Sequence, residues 1–390
     1  MKRATGTYVK STTLGEVVKA FVPHSLPPKK PTLESESYLD LNHKAEMALA
    51  RLSGVSGLVP SVDWLLYSAI RKEALLTSQI EGTQATITDL FDNEAGLDVS
   101  NTDDVEEVTN YIAAYRMVRD NLRDPKGLPI SVRLLCKAHK LLLTGARRTS
   151  KQPGALRRSQ NWLGGTRPGN AVFVPPPADE VPGLMGDLEK FIHDQPRKSA
   201  EASGKGLPPL VGIALAHAQF ETIHPFLDGN GRIGRLLISA LLEDTGLLPE
   251  PLMYLSGYLK QHQKEYYRLL SAIRQDGDWE SWVQFFLEGV QVAANQAEEN
   301  IVKIATLVAS DRRKLLESPK GGTAAYRLFE MLPMMPRFTV ERVKTALGTS
   351  FPTANAAVKA LEALGVITET TGNKKNRSFS YDQYINLLSA

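Results

Sequence analysis

Residues 224–235 read HPFLDGNGRIGR, placing one His, one Asp, one Asn, two Arg and three Gly within twelve positions. Gly229 and Gly231 let the backbone turn tightly and come close to a ligand. The helix expected to open near Arg232 and to stop at Gly246 starts with N–H groups that lack internal partners. Those groups carry partial positive charge, which attracts phosphate. Arg232 and Arg235 are three apart on that helix and project on neighbouring faces near its positive end. A polyphosphate balances such a concentration of charge. Asp228 would repel a bare phosphate, but it suits Mg²⁺, which commonly takes one or two carboxylates together with phosphate oxygens. His224 follows an apolar helix and precedes Pro225. A neutral imidazole beside a bound phosphate can take a proton from an incoming hydroxyl. Taken singly, each residue has a plain reading: a turn, a capped His, two solvated Arg. Together they describe a nucleoside triphosphate, a magnesium ion and a nucleophile that needs a base.

The elements that must hold these residues are mostly helical. LPPKKP at 26–31 cannot be helical, because proline fixes φ and removes donors, so residues 1–35 read as an extended arm. From about 40 to 145 the apolar spacing is helical. Ser61 is the expected N-cap of DWLLYSAIRKEALLTSQIEG and Gly82 its stop. Further helices are expected over 104–122 and 131–144. QPGALRRSQNWLGGTRPGNAVFVPPP (152–177) changes texture to glycine, proline and short β-type runs, which predicts a hairpin. Helices resume over 178–194, 208–223, the run RIGRLLISALLEDTG, 257–274 and 279–316. ESPKGG at 317–322 reads as a linker. The tail 323–390 gives two helices and then two strands around a Gly-Asn turn, the order of a winged helix–turn–helix with its own core. No internal repeat is evident.

With 390 residues the chain is long enough for two or three domains, and its 23% charged and 42% hydrophobic content is that of a globular protein. A net charge of +3 spread along the chain decides nothing about nucleic acid. The single cysteine, Cys136, excludes an intrachain disulfide and argues against a Cys-based zinc site. MKRATGTYVKSTT lacks the apolar core of a secretory signal, and no stretch approaches the roughly 18 apolar residues of a membrane span. A cytoplasmic protein without membrane contact is expected.

HPFLDGNGRIGR resembles the signature of Fic-domain proteins, HPFx[D/N]GNGRxxR, at every defined position. The hairpin near 160–177 resembles the family's target-docking flap, and LKQHQKEYYRLLSAIRQDGDWESW resembles the segment that follows, so the resemblance covers about residues 60–300. It implies transfer of AMP from ATP to a Ser, Thr or Tyr hydroxyl of a protein, with release of pyrophosphate. It also implies His224 as the general base and Asp228 as the Mg²⁺ ligand. The backbone of Gly229–Gly231 with Asn230 becomes the anion hole, Arg232 and Arg235 hold the phosphates, and Gly234 belongs to the same ATP-binding run. Tyr266, or its neighbour Tyr267, is implied to line the adenine pocket, against a plain reading as core packing.

TSQIEG at 77–82 resembles the family's inhibitory pattern, [S/T]xxxE[G/N], through Thr77, Glu81 and Gly82. A carboxylate at the C-terminal end of a helix is disfavoured by roughly 0.3–1 kcal/mol, which invites a cationic partner. The resemblance names Arg235 as that partner, with Glu81 standing where the γ-phosphate belongs. The sequence thus predicts a mostly α fold in three parts: an N-terminal arm and helical region (1–125), a Fic core (126–316) and a winged helix–turn–helix (323–390). The expected activity is a self-restrained protein adenylyltransferase using ATP and Mg²⁺, its candidate targets a hydroxyl-bearing protein and the chain itself. Two rivals stay open: an AMP-removing or bifunctional Fic enzyme, in which Glu81 aligns water, and a nucleotide-sensing DNA-binding regulator. The tail admits DNA or protein contact, its Ala- and Leu-rich second helix offering few groups for base edges. A homodimer is compatible with the sequence.

Overall fold

The structure, a computed structural model, describes residues 3–145, 151–195, 206–319 and 322–389. In chain order its α-helices are α1 (Leu39–Val55), α2 (Val62–Ile80), α3 (Ile87–Glu94), α4 (Thr102–Arg123), α5 (Val132–Leu142), α6 (Val181–His193), α7 (Pro209–Ile223), α8 (Asn230–Asp244), α9 (Leu255–Gln261), α10 (Gln263–Asp276), α11 (Trp279–Glu317), α12 (Thr323–Met331), α13 (Val340–Leu347), α14 (Phe351–Ala363) and α15 (Asp382–Ser389). The mostly α reading holds. No helix among the described residues is long and apolar enough to cross a membrane.

Two helices carry the site. In α7 (PLVGIALAHAQFETI) every residue but Glu221 is buried, the mark of a helix surrounded on all sides. It packs against α6, α8 and α11. Helix α2 starts where expected, Ser61 accepting the Asp63 N–H, and ends at Ile80 with Glu81 as its C-cap. Gly82 follows with φ +102, a conformation that stops the helix without strain. Helix α8 begins at Asn230, two residues before the expected start.

The N-terminal arm is not extended. Strands β1 (Gly6–Thr13) and β2 (Glu16–Pro23) form an antiparallel hairpin in register from Gly6↔Pro23 to Thr13↔Glu16. Its turn is Leu14-Gly15, both at positive φ (48° and 80°), the twist a two-residue hairpin turn requires. The arm reading followed the prolines at 26–31 and passed over the alternation upstream of them. The hairpin expected over 152–177 is present as a long loop closed by one bridge, Leu163↔Phe173. The two hairpins are joined, with the Phe21 N–H donating to the Val174 carbonyl at 3.0 Å.

In the tail, strands β3 (Arg337–Thr339), β4 (Thr368–Glu369) and β5 (Ser378–Ser380) form an antiparallel sheet in the order β3-β5-β4. With α12, α13 and α14 this is compatible with a winged helix–turn–helix. Its core does not close on itself. Leu328, Phe338, Val358 and Tyr381 belong to one continuous buried cluster with residues of α2 and α11. Arg337 grips the Asp92 carboxylate of α3 through two bonds of 2.6 and 3.1 Å, and the Tyr381 hydroxyl donates to Asp311 at 2.8 Å. Leu387 and Leu388 of α15 meet Leu65 and Ala69 of α2 around a small cavity. Ending the chain at residue 322 therefore strips apolar surface from the helix that carries Glu81. We expect its midpoint of thermal unfolding to fall by a few degrees, at about 1–2 °C per kcal/mol lost in a chain of more than 300 residues. An unchanged midpoint would mean that the tail contributes nothing to that core.

Candidate active site

His224 caps α7 in the left-handed conformation (φ 50°, ψ 61°), its N–H donating to the Phe220 carbonyl. A non-glycine residue held there costs on the order of 1–3 kcal/mol, so its surroundings must fix it. The fixing group is Arg157, which the sequence reading did not single out and which is 1% exposed. Its Nε donates to the His224 carbonyl at 2.9 Å, and its terminal nitrogens reach the carbonyls of Pro176 (2.6 Å) and Ser159 (3.2 Å). Its own N–H donates to the Pro225 carbonyl. One buried guanidinium thus ties the end of α7 to both limbs of the 152–177 hairpin.

The loop from Pro225 to Gly229 is braced from two sides. The Asn230 side chain accepts the Phe226 N–H and donates to the Phe226 carbonyl, both at 2.8 Å. That closes the loop and leaves backbone N–H groups, not the Asn side chain, to meet an anion. From α5, His139 stacks on the Phe226 ring at 3.8 Å. Its Nδ1 accepts the Gly154 N–H at 2.9 Å, so its Nε2 is the donor to the Asp228 carbonyl at 3.0 Å. This needs a neutral ring, and burial pushes His139 down to about 4. A second buried ring, His217, bonds the Gly234 carbonyl and the Tyr266 hydroxyl, and burial pushes it down to about 3.

These two rings set an acid limit on stability. When unfolded, each takes a proton below its ordinary value of 6.5; when folded, only near 4 or 3. Between those limits the unfolded chain holds more protons, so stability falls as pH drops through 6.5 and is fully present above it. Glu221, which burial pushes up to about 7, works the other way, but His224, pushed down to about 4, adds to the two rings. Thermal midpoints measured from pH 7.5 to 4.5 should therefore still decline below about pH 6.5, and a flat profile would contradict the neutral-ring assignment.

The positive end of α8 faces carboxylates. Arg235 is 2% exposed, and its terminal nitrogen donates to Glu81 Oε1 at 2.5 Å. Its Nε donates to Thr77 Oγ1 at 2.6 Å, with a further bond to the Thr77 carbonyl at 3.1 Å. Burial works against the Glu81 charge, but Arg235 and then Arg232 outweigh it and hold the carboxyl below its ordinary value. Glu81 lies against the helix start: a Cβ on Gly231 would sit 2.4 Å from Glu81 Oε1. Arg232, 5% exposed, pairs with Glu107 of α4 at 3.1 Å and stands 3.9 Å from Asp228. Glu107 is a second carboxylate that sequence spacing gave no way to find. Burial, reinforced by Arg157, pushes His224 down to about 4, leaving a neutral imidazole.

Asp228 keeps 42% of its side chain exposed, and its Oδ1 accepts the Gly229 N–H at 2.7 Å. Among the described residues no three His, Cys, Asp or Glu cluster in a way that could hold a metal unaided. Asp228 fits a cation that brings its other oxygen ligands with it, as Mg²⁺ on a polyphosphate does.

Two expected residues lie elsewhere. Gly234 faces α7, where a Cβ would sit 2.3 Å from Glu221 Oε1 and 3.1 Å from Phe220, so it serves the close crossing of α7 and α8. Tyr266 is 1% exposed and sealed among His217, Tyr267 and Trp282, so it cannot line an open pocket. Its neighbour Tyr267 is 47% exposed and feels the charges of Glu81 and Arg235. Thr77, Glu81, His224, Asp228, Gly229, Asn230, Gly231, Arg232 and Arg235 all converge, and Gly82 ends the helix that brings Glu81.

Comparison with known proteins gives the family. Residues 39–119 match the N-terminal model of the Fic/DOC family and residues 129–242 the Fic/DOC family model itself. The chain is 26% identical over 215 residues to a protein adenylyltransferase Fic of Drosophila ananassae, and 27% over 212 residues to that of Drosophila willistoni. Each match covers 54% of this chain and 38% of the relative, so the chain spans well under half the length of those relatives. In three dimensions it resembles a Fic family protein from Desulfovibrio desulfuricans (TM-score 0.57, 23% identity, 90% of this chain and 97% of that one). It also resembles a Fic domain containing signaling protein from Bacteroides thetaiotaomicron (TM-score 0.53, 18% identity, 67% and 97%).

Proposed function

Because the chain belongs to the Fic/DOC family, we propose that it transfers AMP from ATP to a hydroxyl of a protein side chain, and that Glu81 restrains the transfer. The observation that carries this reading is the Glu81–Arg235 contact at the start of α8. A buried cation, a helix N-terminus and a carboxylate lying across both describe an anion site held by an internal stand-in. In the transfer, the neutral His224 imidazole takes the proton of the target hydroxyl, whose oxygen attacks the α-phosphorus as the bond to pyrophosphate breaks. The negative phosphates beside the ring favour the imidazolium that results. Arg232 and Arg235 hold the departing charge through the step. Asp228 would hold Mg²⁺ on the phosphates, where the ion supplies positive charge to their oxygens. Tyr267 is the residue we assign to the adenine side. The names of the Drosophila relatives support the same activity.

The experiment is a comparison of labels. ATP labelled at the α-phosphorus should mark protein, and ATP labelled at the γ-phosphorus should not. Marking by the γ-label would convert the reading to a kinase-like transfer. For the metal, Asp228→Ala should weaken calorimetric ATP binding by about tenfold or more with Mg²⁺ present and far less with a chelator. Equal losses in both would make Asp228 a structural residue.

A further inference from the structure

The site's target side has an unassigned neighbour, the N-terminal hairpin. On the face of β1–β2 away from the 152–177 loop, Lys10 and Lys19 are direct cross-strand partners, and both are exposed. Like charges placed opposite each other on a strand pair are destabilising unless an anion lies between them. No ion pair to either lysine is found among the described residues, and the hairpin's only carboxylate, Glu16, is taken by Arg167 at 2.5 Å. The bias reaches beyond the pair. Residues 1–33 hold six Lys or Arg against one Glu, while the chain as a whole stands at +3, so the rest of it is at −2.

Apolar groups lie among these charges. Tyr8 (56% exposed) precedes Lys10 on the same face, and Val17 (68%) stands across from Thr12 beyond Lys19. Leu14 (78%) forms the turn, and Val172 (76%) lies on the neighbouring loop. The inner face is committed instead, with Val18 and Ala20 packed on Val174, Trp162 and Ala171. At its Tyr8 end this face comes within electrostatic range of Arg274, whose guanidinium stands 4.0 Å over the Phe173 ring and whose charge reaches both Glu221 and His224.

We propose that this outer hairpin face, through Lys10 and Lys19 with Tyr8 and Val17, docks an acidic, apolar segment of the protein target and so selects which hydroxyls reach His224. The inference rests on the transfer reading above for its occupant, but its test is a binding measurement that needs no transfer. The apolar groups and the adjacent site for a protein hydroxyl favour a polypeptide over a nucleic acid, whose phosphates the lysines alone would serve.

The full chain is titrated into two fluorescent 15-residue peptides, each with one central Thr among Val and Leu, one bearing four Glu and the other four Lys, and into a 20-base-pair DNA duplex. The wild type should prefer the acidic peptide by about tenfold at low salt, and the preference should shrink as salt is added. The K10E/K19E chain should reverse that preference, while its thermal midpoint and its affinity for ATP stay at the parent level. Equal binding of both peptides by the wild type, or an unreversed preference in K10E/K19E, overturns the proposal. So does a loss of DNA binding in K10E/K19E with peptide binding unmoved, which would give the face to nucleic acid. Absence of AMP transfer from every variant would sink the transfer reading and leave the peptide result to stand or fall separately.

Discussion

Glu81→Gly should raise transfer of label from α-labelled ATP by at least about tenfold, a gain that needs only about 1.4 kcal/mol of lost restraint. The gain follows from what Arg235 does now. Its guanidinium is spent on Glu81 and Thr77, and the Glu81 carboxylate lies over Gly231, where the backbone must come closest to phosphate. Removing the carboxylate frees both at once. The same substitution should cost some stability, because it leaves the Arg235 guanidinium, 2% exposed, with only its Thr77 bonds. A lower thermal midpoint alongside higher transfer therefore separates release of restraint from loosening of structure, since loosening alone would lower both. Arg235→Ala breaks the same contact but removes the proposed phosphate ligand, so transfer should stay low. The double variant should match Arg235→Ala alone, because Glu81 acts only through the arginine. Auto-modification serves as readout, since it needs no known target. A single variant with wild-type transfer would remove Glu81 from regulation, and an AMP-removing enzyme that uses Glu81 to align water would instead lose removal.

How much of this was legible beforehand depends on where the information sits. The His224–Arg235 run is local: its turn, its helix start and its charges lie within twelve residues, so spacing alone pointed to a nucleoside triphosphate as the ligand to test. Helix α2 was equally local, with its cap at Ser61 and stop at Gly82. The Glu81–Arg235 contact spans 154 positions and came from a family pattern, not from spacing. Arg157, His139 and Glu107 were invisible because each works on backbone or charge brought in by tertiary packing, and a buried Arg in GALRRSQ looks the same on paper as its exposed neighbour Arg158. Tyr266 and Tyr267 illustrate the same limit. Adjacent helical residues point about 100° apart, and only the positions of His217 and Trp282 decide which ring is sealed. The tail's elements followed from sequence, whereas the joining of its core to α2 and α11 did not, because Arg337, Tyr381 and Leu388 find their partners outside the tail.

His224→Ala should cut transfer by roughly 10²–10⁴-fold, the usual range for a lost general base, and leave ATP affinity within about twofold. On the proposed reading the ring acts on the target hydroxyl and nucleotide is held by α8 and its arginines, so the loss would belong to turnover. Backbone must be separated from chemistry here, because His224 sits at φ 50°, where Ala is also strained. His224→Gly supplies the control. Glycine takes that conformation freely, so a fold effect would be relieved in it and a lost base would not. Both variants should be equally silent in a Glu81→Gly background. Arg157→Ala adds a second check, since Arg157 holds the His224 carbonyl and touches no reacting atom. It should lower transfer by displacing the ring, and combining it with His224→Ala should cost no further activity, because a misplaced base and an absent one are the same loss. Recovery of transfer in His224→Gly, or a further drop in the double variant, would show that position 224 acts through the shape of the loop and that the base is another residue.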